Sequence, residues 1–213
     1  CTALGQRDYI WRAFVKAERF TPEVAAAMRA GGCVEVGFGA ESGSARILDG
    51  IHKNATPEIN GQVVEIGHRH GIRVKSFCVL GLPGETRETI QETRDWLLRY
   101  RPDDFDLTLY TPYPGSPIFA SKYPGHTRRE LGGNVGGRDA PLDISFALPD
   151  YSDEAVFYKG LPGHYRAVIS TPTLSSEDLV HLRDQVDAEV RRELGIPWRA
   201  AGSPLQGVLP DHA

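Results

Sequence analysis

A chain of 213 residues with 24 basic and 28 acidic side chains carries a formal charge of −4, which gives no surplus of positive charge for nucleic acid and enough length to bury one sizeable core. No run of 18 apolar residues occurs, so no membrane-spanning helix is indicated. Three scattered cysteines without a CxxC pair argue against a disulfide framework and suit a reducing, cytoplasmic setting.

The chain opens at Cys1 without a targeting segment, and Tyr9–Val15 already has the pattern of ordered structure; the sequence is therefore expected to be the later part of a longer protein. Ile10–Val15 is apolar and aromatic and predicts a buried strand. Thr21-Pro22-Glu23 supplies an N-cap, a proline for the first helical turn and a favourable early carboxylate, and the alanine-rich helix stops at Gly31-Gly32. Val34–Phe38 is the second strand, followed by Gly39-Ala40-Glu41-Ser42-Gly43-Ser44 and a short helix. Thr56-Pro57-Glu58 opens a helix carrying Val63, Val64 and Ile66 that stops at Gly71. Ile72–Leu80 is a long strand leading into Gly81-Leu82-Pro83-Gly84-Glu85. Thr86 begins a helix with Ile90, Trp96, Leu97 and Leu98, ended by Pro102, and Phe105–Tyr110 is the fourth strand. Cys33 and Cys78 fall in apolar runs and read as small buried hydrophobes.

Past the proline-rich segment Pro112–Pro117 the pattern loosens. Gly115–Gly137 reads as a long loop, and Phe146, Tyr151, Phe157, Tyr158 and Tyr165 add aromatic weight. Ala167–Ile169 suggests a short strand. Ser175 or Ser176 caps an amphipathic helix with Leu179, Leu182, Val186, Val190 and Leu194, ended by Gly195 and Pro197. Its arginines Arg183, Arg191 and Arg192 alternate with Asp187, Glu189 and Glu193 and read as a solvated face. The tail from Arg199 is expected to be mobile.

Strands separated by helices call for parallel pairing with right-handed crossovers, hence an α/β sheet or barrel with its ligand beyond the carboxyl ends of the strands. The loops after the four strands, Lys16–Glu18, Glu41–Ser44, Gly81–Glu85 and Thr111–Ser116, must then share one rim. Glu41 there either holds a ligand hydroxyl or ammonium or caps the following helix. Gly81–Glu85 either lays backbone against a planar ring, with Leu82 as an apolar shelf, or is an ordinary turn in which Glu85 favours the helix N-terminus. Lys53 could meet a ligand carboxylate or face water. Lys16 and Glu18 are candidates for the same pocket or for an ion pair with each other. Tyr110, Tyr113 and Ser116 flank prolines as candidate substrate contacts. The histidines show no metal-ligand spacing beyond His68-x-His70, at a helix end where it favours the dipole, and the sequence assigns neither a metal ligand nor a catalytic residue.

Gly32-Cys33-Val34-x-Val36-x-Phe38-Gly39-x-Glu41-Ser42-Gly43-Ser44, then Leu48-x-x-Ile51-x-Lys53-x-x-Thr56, then Leu80-Gly81-Leu82-Pro83-Gly84-Glu85-Thr86 and Thr111-Pro112-Tyr113-Pro114-Gly115-Ser116, in this order, resemble the middle of a radical S-adenosylmethionine (SAM) enzyme, especially the subset with an N-terminal cobalamin-binding domain. The resemblance covers residues 9–118 well and 150–197 more loosely. It implies a partial parallel (β/α) barrel, of which this chain supplies about the last four strands, with a C-terminal helical extension. Residues 1–118 would be the barrel part, 119–149 a glycine-rich linker, 150–198 the extension and 199–213 a tail. It further implies SAM, a 4Fe-4S cluster and cobalamin as cofactors, and radical methylation or cyclisation of a small-molecule substrate. Carried over by position, Glu41 and Ser42 would contact SAM, Lys53 its carboxylate, and Gly81, Leu82, Pro83 and Gly84 its adenine, with Lys16 and Glu18 nearby.

The cluster-binding pattern of that family, CxxxCxxC, is absent from the sequence, and Cys1 lacks the two partners such a cluster requires. The chain is therefore expected to be inert alone, its partners being the N-terminal half of the barrel and a cobalamin domain. Two other readings stand beside this one: a non-catalytic remnant or interaction module retaining the half-barrel, and a Schiff-base aldolase using Lys16 or Lys75, which requires an enclosed lysine of depressed pKa.

Overall fold

The computed structural model describes residues 1–113, 116, 119–120, 144–147 and 162–198. In chain order the elements are α1 (Thr2–Gly5), β1 (Trp11–Phe14), α2 (Pro22–Ala30), β2 (Cys33–Glu41), α3 (Ala45–Gly50), α4 (Pro57–Arg69), β3 (Arg73–Leu80), α5 (Arg87–Tyr100), β4 (Asp104–Leu109), β5 (Ser145–Phe146), β6 (Ile169–Ser170) and α6 (Ser176–Leu194), with a 3-10 turn at Ala17–Arg19. The helices begin where side-chain oxygens can take the orphan amides of a first turn. Thr21 accepts from the Val24 amide and Thr56 from the Ile59 amide, each with proline next in line. Thr86 with Thr89, and Ser175 with Asp178, cap reciprocally. α6 ends at Gly195, whose φ of +69° a side chain would strain.

β1, β2, β3 and β4 lie in that order in one parallel sheet. One face packs on helices: Val36, Phe38, Ala40, Val74, Cys78, Leu80, Phe105, Leu107 and Leu109 share a core with Val63, Val64, Ile90, Trp96, Leu97, Leu179, Val186 and Val190. Among the described residues no helix packs on the other face, which carries Arg12, Phe14, Glu35, Gly37, Gly39, Arg73, Lys75, Phe77, Asp104 and Asp106 in register. A parallel sheet covered on one face only is the sheet of a barrel, whose second face turns inward. The expected partial barrel with a C-terminal helix is the fold observed.

Three expectations change. β1 is an edge strand of alternating exposure, and Phe14 on the helix-free face is 80% exposed, so Ile10–Val15 is not a buried strand. β2 continues past Phe38 to Glu41. The polar side chains of α6 are only in part a solvated face: Arg192 and Glu193 are exposed as expected, but Arg183, Asp187 and Arg191 are buried. Arg183 Nε donates to the Leu107 carbonyl at 2.9 Å, Arg191 Nη2 to the Phe105 carbonyl at 2.8 Å, and the Leu109 amide donates to the Tyr165 hydroxyl at 3.0 Å. These bonds close the outer edge of β4, and Asp187 bridges the two guanidinium groups, which Asp184 and Asp104 also pair. The expected short strand at 167–169 is observed as β6, paired antiparallel with β5. The long-loop segment at 115–137, apart from residues 116, 119 and 120, lies outside the described residues, as do Tyr151, Phe157, Tyr158 and the tail from residue 199.

Candidate functional site on the carboxyl rim of the sheet

Because all four strands are parallel neighbours, the four loops that follow them lie on one rim, as the alternation of elements requires. The rim is built around an irregularity in β2. Gly39 pairs with Phe77 and Glu41 with Cys78, so Ala40 is an extra residue, a β-bulge. Glu41 takes a φ of +61°, a left-handed conformation that few side chains adopt. Its carboxylate folds back over Gly39, where an added Cβ would stand 2.4 Å from Glu41 Oε1 and 3.4 Å from Lys53 Nζ.

Lys53 arrives from the turn after α3. His52 before it is also left-handed, at φ +55°, and the Lys53 amide donates to the Leu48 carbonyl at 2.9 Å. Lys53 Nζ donates to Glu41 Oε1 at 2.8 Å, and each side chain retains 29% exposure. Two non-glycine residues in a disfavoured backbone region thus bring opposite charges together where solvent, and hence a solute, can reach them.

Ser42, expected at a cofactor, is turned beneath the loop. It is wholly buried, with its hydroxyl 3.1 Å from Thr93 Oγ1 and accepting the Ser44 amide at 3.1 Å. The Gly43 amide donates to Thr93 Oγ1 at 3.0 Å. Thr93 therefore anchors the whole Ser42–Ser44 turn to α5. Sequence reasoning passed over it, although Thr89 and Thr93 lie at helical spacing on the buried side of α5.

The Gly81–Glu85 loop is organised from within. Glu85, the residue before the N-cap of α5, is 1% exposed: its carboxylate accepts the Gly81 amide at 3.1 Å and, from the first turn of the helix, the Thr89 hydroxyl. Burial pushes its carboxyl up to about 7, outweighing those bonds. Its own carbonyl accepts the hydroxyls of Thr171 and Thr173 at 3.3 and 3.2 Å. Gly81 and Leu82, expected to border a ligand ring, are buried, and the Gly81 amide is engaged by Glu85; Pro83 and Gly84 remain half-exposed.

Among the other candidates, Lys16 and Glu18 are exposed and form no ion pair with each other among the described residues. Tyr110 extends β4 by one bond to the Leu80 carbonyl, 2.8 Å, and its half-buried phenol is pushed up by desolvation. Tyr113 is 42% exposed. Ser116 is engaged in its own turn, donating to the Tyr113 carbonyl at 2.8 Å and accepting the Phe119 amide at 3.2 Å. Cys33 and Cys78 are buried as expected, and desolvation raises both thiols. His68 pairs with Asp103 at 3.0 Å and His70 Nδ1 lies 2.9 Å from the Ile66 carbonyl. Among the described residues no group of three or more His, Cys, Asp or Glu could hold a metal ion. Lys75, on the helix-free face, is held by Asp106 at 2.9 Å and Asp104 at 3.1 Å; burial works against its charge, but the two carboxylates push its pKa up. A Schiff-base nucleophile needs the opposite.

Three comparisons bear on this arrangement. Over 112 residues the chain is 36% identical to an uncharacterised methyltransferase of Pyrococcus horikoshii, a stretch that is 53% of this chain and 24% of that protein. It is 32% identical over 91 residues to the anaerobic magnesium-protoporphyrin IX monomethyl ester cyclase of Rubrivivax gelatinosus, covering 43% of this chain and 16% of the relative. The chain thus spans about a quarter or less of these curated relatives. The radical SAM methyltransferase TsrM of Kitasatospora setae, solved with cobalamin and a [4Fe-4S] cluster, shares the fold over 85% of this chain and 36% of its own, with a TM-score of 0.54 and 19% identity. Residues 8–97, which hold β1 to β3, the Glu41–Lys53 pair and most of α5, match the model of the radical SAM superfamily.

Proposed function

We propose that this chain is the C-terminal part of a radical SAM enzyme of the cobalamin-using kind, which methylates or cyclises a small molecule, and that it contributes the surface gripping the methionyl end of SAM. The observation that carries the reading is the Glu41–Lys53 pair, half-buried on the rim at 2.8 Å. A free amino-acid head group is a zwitterion. It can exchange places with this pair, ammonium to Glu41 and carboxylate to Lys53, without leaving either charge unmatched in a partly desolvated site. Pro83 and Gly84 then border the adenine, with Tyr110 and Tyr113 on the substrate side. The methyltransferase and cyclase names of the relatives support methylation or cyclisation as the reaction class.

The 4Fe-4S cluster of the superfamily does not fit the cysteines of this chain. Cys33 and Cys78 are buried with raised thiols and Cys1 is a single exposed one, so the cluster ligands are assigned to chain outside these residues, and so is the cobalamin domain. Calorimetric titration with SAM tests the reading. Saturable one-to-one binding is expected, weakened about tenfold or more in Lys53→Ala, the loss of one charge-assisted contact; equal affinity in both proteins removes Lys53 from the site.

A further inference from the structure

We infer that Asn60 is a positioning residue for the Glu41–Lys53 pair, acting through the carbonyl of Ala40. The buried side of α4 carries Asn60, Gly61, Val63, Val64 and Gly67, and Asn60 is its one side chain with polar atoms, wholly buried. Burying an amide in such a stripe is unfavourable unless a bond repays the lost water. Asn60 Nδ2 donates to the Ala40 carbonyl at 2.9 Å, while its Oδ1 is buried without a hydrogen-bond partner. The donor end alone holds the side chain there, and a carbonyl partner settles which end that is.

Ala40 is the extra residue of the β2 bulge. Its carbonyl also accepts the Ser42 amide at 2.7 Å, closing a three-residue turn centred on Glu41 at φ +61°. Such a turn is tight and disfavoured for a side-chain-bearing residue, so it persists only where the surroundings hold it. Asn60 of α4 grips it at the Ala40 carbonyl, while Thr93 of α5 holds it at the Ser42 hydroxyl. α4 also begins at Pro57, with its cap Thr56 three residues after Lys53. One helix therefore fixes both the bulge that aims Glu41 and the end of the turn that presents Lys53. Without the Asn60 bond Glu41 relaxes toward negative φ and its carboxylate leaves Gly39 and Lys53.

The inference rests on the SAM reading only for its functional consequence; the positioning itself is tested without ligand. In urea unfolding of the 213-residue chain, a double-mutant cycle of Glu41→Gln with Lys53→Met is expected to show a coupling of about threefold in the unfolding constant. In an Asn60→Leu background, which keeps the number and branching of the side-chain heavy atoms and suits the apolar stripe, the coupling is expected to vanish even where overall stability is retained; a purely structural asparagine would shift stability and leave the coupling in place. Asn60→Ala repeats the measurement should the leucine variant not fold. Absence of coupling in the parent chain, or the same coupling with and without Asn60, overturns the proposal. SAM titration then separates the two readings. Asn60→Leu is expected to weaken binding about tenfold, with no further loss on adding Lys53→Met. A coupling that depends on Asn60 in a chain that binds no SAM upholds the positioning and rejects the ligand.

Discussion

Glu85 shows how a single side chain can be read two ways from sequence and a third way in three dimensions. It precedes a helix, which suggests a solvated carboxylate near the positive end of the dipole, yet it is buried inside its own loop with its carboxyl raised from 4.5 to about 7. The folded state therefore binds the proton more tightly than the unfolded chain. Its contribution to stability is full below pH 4.5 and is lost as the pH rises through about 7, by an amount on the order of 3 kcal/mol. Urea midpoints measured from pH 4.5 to 7.5 are expected to fall over that window, and Glu85→Gln is expected to flatten the fall; an unchanged slope in the variant would show that other groups cause it. At Gly81 two constraints coincide, a φ of +80° and an added Cβ 2.3 Å from Ile169 Cδ1. Gly81→Ala is expected to cost about 2 kcal/mol or more in chemical denaturation.

At the scale of elements, α6 does what a further strand would otherwise do for the sheet. Arg183 and Arg191 lie eight residues apart on one helix and reach the Leu107 and Phe105 carbonyls, alternate residues of one strand. Asp187 between them accepts Arg191 Nε at 2.6 Å and lies 3.4 Å from Arg183. Arg191 also stacks between the rings of Phe105 and Trp198. Removing the carboxylate leaves Arg183 with Asp184 at 2.7 Å and Arg191 with Asp104 at 3.5 Å but takes away the group that bridges them, so Asp187→Ala is expected to destabilise by about 1.5–3 kcal/mol. Arg192→Ala on the exposed side is expected to change stability by no more than about 0.5 kcal/mol. Thermal or urea unfolding of the two variants checks both.

For the whole molecule, the two edges of the sheet are unlike. β4 is covered by α6, whereas among the described residues β1 pairs only with β2, and Phe14 with the preceding Tyr9 and Ile10 is exposed. Stability should be distributed accordingly, with the central strands opening last. Native-state hydrogen exchange is expected to find the amides of β3 protected about a hundredfold or more beyond those of β1; equal protection would mean that the sheet opens as one unit. The helix-free face is bound together at one end by Arg12, Glu35, Arg73 and Asp103 and at its middle by Lys75 with Asp104 and Asp106. These pairs account for charges placed at strand positions that alternation alone would assign to solvent.

The order of strands and helices, their caps and stops, and the gathering of four loops on one rim were all legible in the chain, because threonine caps, glycine stops and hydrophobic period act over a few neighbouring residues. Glu41 and Lys53 were legible as candidates for the same reason. Their mutual contact, the descent of Ser42 beneath its loop, the internal use of Glu85 and the burial of Arg183 and Arg191 were decided only when separate elements came together. Each depends on a partner 12 to 86 positions away or, for Glu85, on the curl of its loop. A polar residue in an apolar stripe, as at Asn60, marks that such a partner exists, but only the packed helix and strand show that it is the carbonyl of Ala40.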